Sequence, residues 1–252
     1  MNIALIIGKH NSTGVPGKNY RSLLGRPMVE YPLMAAHHCS SIDEIFVSTD
    51  SPVIKDVARK YSAKVIDRPK DLSLSDSPTE LVFQHAYREI QKQVETINYM
   101  SLMFANSPDV LPHMLVEAFG RLDEDDSLDS VVSISKYNMF TPLRARRLLG
   151  DGTTRSLLDL DTFGITNTFD RDALGDVYFC DFAVQVVRPE RCLVDACGGS
   201  LPFRWLGRKQ GAITKEFGFD IDYDWQIPVL EHWLRKHGFS ESTTPYGWKN
   251  DA

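Results

Sequence analysis

The sequence predicts an α/β chain organised around a mostly parallel sheet with helices on both faces. Two observations carry this: short apolar runs alternate with helical apolar patterns through the first half, and a glycine-rich turn directly follows the first run. Composition agrees with a folded chain. Of 252 residues, 42% are hydrophobic and 25% charged, ordinary proportions for a globular protein. A chain of this size buries about 70–75% of its unfolded surface without disulfides or metals. Residues 1–252 therefore read as a single domain.

Asn2 to Ile7 is short, apolar and followed by glycine, hence a buried strand. Pro27 to His38 has helical character, with Pro32 as a kink or as the mark of the true start. Glu44 to Thr49 is a second strand. Pro52 to Tyr61 is a helix with proline in its first turn and Val53, Val57 and Ala58 on one side. A short strand at Lys64 to Ile66 precedes a helix from Thr79 to Val94, in which Val82, Phe83, Ala86, Tyr87 and Ile90 recur at helical spacing. Tyr99 to Phe104 is a strand, Val110 to Leu122 a helix and Ser130 to Ser135 a strand. Beyond residue 136 the rhythm breaks. Pro142 and the basic cluster Arg144, Arg146 and Arg147 suggest an inserted arm over residues 137–190. Val177 to Val187 returns to strand character. Trp225 to His237 is a last helix that buries Ile227, Leu230, Trp233 and Leu234.

Charge and cysteine usage exclude several classes. Lys and Arg number 28 and Asp and Glu 34, a net charge of −6, which argues against a nucleic-acid partner. None of Cys39, Cys180, Cys192 and Cys197 forms a CxxC pair, so they read as reduced core thiols in a cytoplasmic protein. The first apolar run has no basic leader, and no run approaches the ~20 residues of a membrane helix. No membrane partner is expected.

In parallel sheets, ligands gather at the carboxyl ends of the strands, near the switch in strand order. The segment from Gly8 to Asn19 follows the first strand directly. Its glycines would let backbone N–H groups approach phosphate oxygens, with Lys18 as a point charge. The register is not that of a Walker A loop. The segment also reads as a glycine-rich turn with two solvated lysines. Near the other end, Asp220 and Asp222 alternate in an extended stretch, which puts both carboxylates on one side. Two hard oxygen ligands with substrate phosphates suit Mg²⁺; a solvated acidic turn is the other reading. Asp224 reads as the N-cap of the last helix and Asp76 as a cap before Thr79. His10 is expected to be solvent-exposed, His37 and His38 to be structural, and Trp205, Trp225 and Trp233 to pack.

The spacing SxGxPGKN after a first strand resembles the nucleotide loop of the acylneuraminate cytidylyltransferases, ARGGSKGIPGKN. Ser12, Gly14, Pro16, Gly17, Lys18 and Asn19 match; Lys9 replaces the arginine and Thr13 the second lysine. Further matches follow in order. Leu24 to Met28 is similar to GKPLI, and Val47 to Asp50 matches VSTD. Asp67-Arg68-Pro69 with Leu72 is similar to RPxxLA, Asp129 to Ser133 to DSVVSV, and Phe219 to Asp222 to IDID. The acceptor side departs. Phe104 stands where relatives have glutamine, and Asp109-Val110 replaces leucine–arginine. Tyr178 to Phe182 replaces YxxNG.

The resemblance implies a Rossmann-like sheet of the nucleotide-diphospho-sugar transferase type with a small dimerisation arm at 137–190, and a homodimer. It implies transfer of CMP from CTP to a 2-keto sugar acid of nonulosonate type, with release of pyrophosphate. Alternatives are an octulosonate or phosphonate acceptor, use of UTP or GTP, or a non-catalytic nucleotide-binding protein. The implied site places Gly8, Ser12, Gly14, Gly17, Lys18, Asn19 and Arg68 on the nucleotide. Lys18, Lys9 and Asp222 serve catalysis, Asn106 and Arg171 the acceptor, and Asp220 and Asp222 hold Mg²⁺.

Overall fold

The computed structural model describes residues 1–11, 15–159, 162, 175–194 and 198–246. Its frame is a seven-stranded sheet in the order β11-β7-β10-β6-β1-β4-β5. The strands are β1 (Asn2–Ile7), β4 (Glu44–Thr49), β5 (Lys64–Asp67), β6 (Tyr99–Phe104), β7 (Ser130–Lys136), β10 (Tyr178–Val187) and β11 (Gln210–Lys215). β1 runs parallel to β4 and β6, β4 to β5, and β7 to β11; β10 alone runs antiparallel, to β6 and β7. Two short pairs stand apart: β2 (Ser22–Leu23) with β3 (Arg26–Pro27), and β8 (Arg146–Leu148) with β9 (Thr154–Ser156). The helices are α1 (Glu30–His37), α2 (Pro52–Lys60), α3 (Thr79–Gln91), α4 (Pro112–Glu124), α5 (Pro189–Cys192) and α6 (Gln226–Lys236).

β1 shows why the sheet is covered on both sides. Its side chains alternate between faces. Ala4 and Ile6 join a core with Leu33, Val57, Leu115 and Trp233 from α1, α2, α4 and α6. Ile3, Leu5 and Ile7 join a second core with Val82, Phe83, Ala86 and Ile90 from α3. Both faces being buried, a continuous apolar run is the expected pattern. Ser51 accepts from the Ile54 N–H at 3.5 Å and opens α2 just before Pro52.

Several expectations need correction. Pro32 lies in the first turn of α1, where its missing N–H has no partner within the helix, so it marks the start rather than a kink. Pro27, expected to open that helix, belongs with Arg26 to β3, and Val53, expected on the apolar side of α2, is exposed. β11 was not anticipated; its burial alternates along QGAITK, but it is interrupted by glycine and bounded by polar residues. Asp76 lies in a turn before α3, which begins at Thr79 behind Pro78 without a side-chain cap. Asp224 does not cap α6 either; it pairs with Arg21. His10 is half-buried and stacks on Tyr20 at 5.3 Å. Trp205 and Trp233 are buried, whereas Trp225 is exposed beside Tyr223. Cys39 and Cys192 are buried free thiols, Cys180 is partly buried, and Cys197 lies outside the described residues. Among the described residues no helix is long and apolar enough to cross a membrane.

Candidate active site

The chain runs from β1 to β4 and β5 on one side, then returns to place β6 on the other. The carboxyl ends of β1 and β6 are therefore the switch point, where a parallel sheet leaves a crevice. A cleft of about 190 Å³ opens there, lined by Ile7, Gly8, Lys9, Lys18, Asn19, Arg68, Phe104, Asn106 and Asp220, with Leu72, Leu74 and Val82 on its apolar wall. The site residues expected from sequence that the structure describes gather at or beside this cleft. Ser12, Gly14 and Arg171 lie outside the described residues.

Gly8 sits at the end of β1 against β6. A Cβ there would come 2.7 Å from Ala105 Cβ and 3.0 Å from Ile54 Cδ1, so the chain crosses only as glycine. Gly17 has φ +68° and turns the chain into the single 3₁₀ turn Lys18–Tyr20. Asn19 is buried and its Nδ2 donates to the Lys9 carbonyl at 2.8 Å, closing the loop across its base. His10 N–H donates to Asp50 Oδ1 at 2.8 Å. Lys9 Nζ reaches the Leu74 carbonyl at 3.3 Å. Partial burial, then the Arg68 and Lys18 charges, hold the Lys9 ammonium below its ordinary range.

Arg68 follows β5, and its Nη2 donates to the Ser48 carbonyl at 2.6 Å. It is buried, and among the described residues it has no ion-pair partner; burial lowers it to about 10, with the Asp50 charge working against that shift. Three cations thus face the cleft at close quarters, the arrangement a polyanion would relieve.

The opposing wall is the stretch from Gly218 to Asp222. Asn106 Nδ2 donates to Asp220 Oδ2 and to the Ile221 carbonyl, both at 3.0 Å. Gln226 Oε1 accepts from the Asp222 and Tyr223 N–H groups at 2.6 and 2.7 Å. Asp222 pairs with Lys18. Burial, then the neighbouring Asp222 carboxylate, pushes the Asp220 carboxyl above its ordinary range. Two neighbouring carboxylates, one of them largely buried, suit a divalent cation. Among the described residues no group of three or more His, Cys, Asp or Glu side chains could hold one, so the pair would share it with substrate phosphate oxygens and waters. That is how Mg²⁺ is commonly held in phosphate-transfer sites.

Phe104, at the end of β6, belongs to an aromatic chain. Its ring centroid lies 5.8 Å from Phe83 and from Phe182, and Phe182 lies 4.9 Å from Phe203. Phe182 has φ +62°, in a stretch where the pairing of β10 with β7 shifts register between Cys180 and Gln185. The position matches the glycine of the YxxNG pattern. Sequence reasoning missed Gln226 and Lys215. It noted Asp109 and Asp181 only as departures and Ser48 only as part of a motif match. Asp109, Asp181 and Lys215 look like surface charges, and their partners lie far away in the chain.

The fold is a mixed α/β sheet whose switch point opens into a cleft with cations on one wall and carboxylates on the other. Residues 3–101 match the family model described as cytidylyltransferase. The chain is 26% identical over 236 residues to an N-acylneuraminate cytidylyltransferase of Oncorhynchus mykiss, covering 94% of this chain and 51% of that protein. It is 28% identical over 127 residues to a pseudaminic acid cytidylyltransferase of Campylobacter jejuni, covering 50% and 55%. A solved CMP:2-keto-3-deoxy-manno-octonic acid synthetase, complexed with CTP, superposes with a TM-score of 0.62 at 13% identity, over 93% of this chain and 98% of that one. A 4-diphosphocytidyl-2C-methyl-D-erythritol synthase gives 0.61 at 12% identity, covering 92% and 98%. Among these matches are acylneuraminate cytidylyltransferases, the family that the chain's motifs resemble. It spans between 31% and 55% of the length of the curated relatives it matches.

Proposed function

We propose that the protein transfers CMP from CTP to the hydroxyl of a 2-keto sugar acid and releases pyrophosphate. The observation that carries this reading is the pairing, across one cleft, of a cationic loop with the Asp220–Asp222 stretch, in a chain whose first part matches the cytidylyltransferases. The acceptor oxygen attacks the α-phosphorus and the bond to the β-phosphate oxygen breaks. The protein's task is alignment and charge neutralisation rather than covalent chemistry.

In this reading Gly8, Gly17 and Asn19 shape the loop, with Ser12 and Gly14 as further nucleotide contacts. Lys18 turns from Asp222 to the β- and γ-phosphates. Lys9 faces the α-phosphate as a point charge, without the bidentate geometry of arginine. Arg68 faces the nucleotide from β5. Asp220 and Asp222 hold Mg²⁺, which when bound neutralises charge on the phosphate oxygens. Asn106 and Arg171 serve the acceptor, and Asn106 also fixes Asp220 in place. Phe104, in the position of a polar residue in relatives, makes that part of the wall apolar and favours an acceptor other than ordinary N-acetylneuraminate.

The test is pyrophosphate release with Mg²⁺, scanning CTP, UTP, ATP and GTP against nonulosonates, octulosonates and phosphonates. Release with CTP and a 2-keto acid supports the reading. CTP binding without release in any pairing would favour a non-catalytic nucleotide-binding protein.

Of residues 137–190, expected as an inserted arm, 178–187 instead form β10 inside the central sheet; the part before it carries exposed apolar side chains at Met139, Phe140, Leu148 and Leu157. We infer that this arm pairs with a second copy; a monomeric solution mass at micromolar concentration would overturn that.

A further inference from the structure

Behind the cleft lies a cluster of buried charge that the reaction does not use. Lys215, at the end of β11, is 3% exposed in its side chain, and Asp109 and Asp181 are 0% exposed. Lys215 Nζ donates to Asp109 Oδ2 at 2.7 Å and to the Asp109 carbonyl at 2.8 Å. It stands 4.0 Å from Asp181 Oδ1. Asp181 accepts from Ser133, from Ser135 Oγ at 2.6 Å and from the Ala183 N–H at 3.1 Å.

Such a cluster is costly. Desolvating these ions offsets most of their attraction, and well-packed apolar residues commonly stabilise as well or better. Burial pushes the Asp109 carboxyl above its ordinary range even though Lys215 draws it down. Asp109 Oδ1 has no hydrogen-bond partner. Stability alone therefore does not explain the arrangement.

Its location does. Gly218 rests directly on the cluster: a Cβ there would come 2.4 Å from Asp109 Oδ2, 2.7 Å from Lys215 Nζ and 3.3 Å from Asp181 Cβ. The Gly218 carbonyl accepts from Tyr137 Oη at 2.9 Å. Two residues further on is Asp220. Asp109 itself closes the loop that begins with Asn106, whose amide grips Asp220 and Ile221. The cluster thus ties together the ends of β6, β10 and β11, and the acidic stretch hangs from that knot.

We propose that Asp109 and Lys215 are positioning residues for the cation site: through Gly218 they set where Asp220 and Asp222 sit, without touching substrate. This rests on the reading of Asp220 and Asp222 as metal ligands. The double variant Asp109→Leu/Lys215→Met replaces the ion pair with apolar volume, so it separates folding from positioning. Direct Mn²⁺ binding in the presence of CTP is measured by electron paramagnetic resonance, alongside thermal unfolding and the Mg²⁺ dependence of turnover.

The expected result is a folded protein with a melting temperature lowered by the Asp181 carboxylate that loses its nearby cation, Mn²⁺ affinity weakened at least about tenfold, and metal-free CTP binding unchanged. If the double variant does not fold, Asp109→Asn, which keeps the shape, carries the same expectation. Gly218→Ala, which leaves all three charges in place, is expected to reproduce the metal defect. Parental Mn²⁺ affinity in a folded Asp109 or Lys215 variant overturns the proposal. If Asp220→Asn and Asp222→Asn also leave Mn²⁺ binding intact, the metal reading itself fails; if they abolish it, only the positioning role does.

Discussion

The loop after β1 and the stretch from Gly218 to Asp222 bring opposite charge to one cleft, and they are held by opposite means. Among the described residues the loop is held by buried Asn19 to the Lys9 carbonyl, by His10 to Asp50 and Ser51, and by Lys9 to the Leu74 and Ser75 carbonyls. The acidic stretch is clamped by Asn106 on one side and Gln226 on the other, and it rests on buried ions. A loop whose described residues are held largely by polar contacts at its rim can re-form around a ligand. A stretch anchored in a packed interior cannot drift far. The pairing of Lys18 with Asp222 joins the two walls, and a triphosphate with its cation would replace that contact on both sides. The difference assigns adaptation to the cationic wall and fixed geometry to the acidic one.

That contrast can be broken most severely at the acidic wall. Asp222→Asn is expected to lower turnover by about 10²–10³-fold, the scale of losing one preorganised electrostatic contact, and to leave metal-free CTP binding intact. Lys18→Met, on the adaptable wall, is expected to cost less, about tenfold to a hundredfold, with most of the loss in KM for CTP. Steady-state kinetics on both variants checks the order. Near-normal turnover in Asp222→Asn would remove the acidic wall from the chemistry.

The base of the loop is where rigidity matters on the cationic side. Gly8→Ala forces a Cβ to 2.7 Å from Ala105, and overpacking of this kind typically costs about 1–3 kcal/mol. Urea unfolding would read it. An unchanged midpoint would mean that the β1 end is looser than the packing indicates.

The smallest effect is a pH dependence at Lys9. Its ammonium is held below the ordinary 10.5 by partial burial, then by Arg68 and Lys18. A bound triphosphate reverses the last two influences, so nucleotide binding takes up protons between the lowered value and 10.5. Affinity for CTP therefore falls as pH rises through that interval. The unliganded protein changes with the opposite sign: the unfolded chain holds the proton longer, so the contribution of Lys9 to stability improves as pH rises. Calorimetry in buffers of different ionisation heat detects the uptake, and Lys9→Met is expected to abolish it.

Much of the fold was legible because its signals are local. β1, β4 and β6 are apolar runs buried on both faces, and α3 repeats its apolar residues at helical spacing. β11 was not legible: QGAITK holds one strongly apolar side chain, and it becomes a strand only by pairing with β7. The loop and the acidic pair could be found by spacing, since each is contiguous. Asp109, Asp181 and Lys215 could not, because charged residues distant in sequence reveal burial only when the strands that carry them converge. Phe182 shows the reverse limit. A phenylalanine at φ +62° is not expected from local preference, yet the turn is kept and packs into the aromatic chain with Phe104 and Phe203.

Phosphorus NMR of a reaction with CTP, Mg²⁺ and a panel of 2-keto sugar acids tests the central claim most directly. The account predicts that the α-phosphorus of CTP becomes a single new phosphodiester resonance while an equal amount of pyrophosphate appears. Orthophosphate with CDP, or unchanged CTP that is nonetheless bound, would contradict transfer at the α-phosphorus.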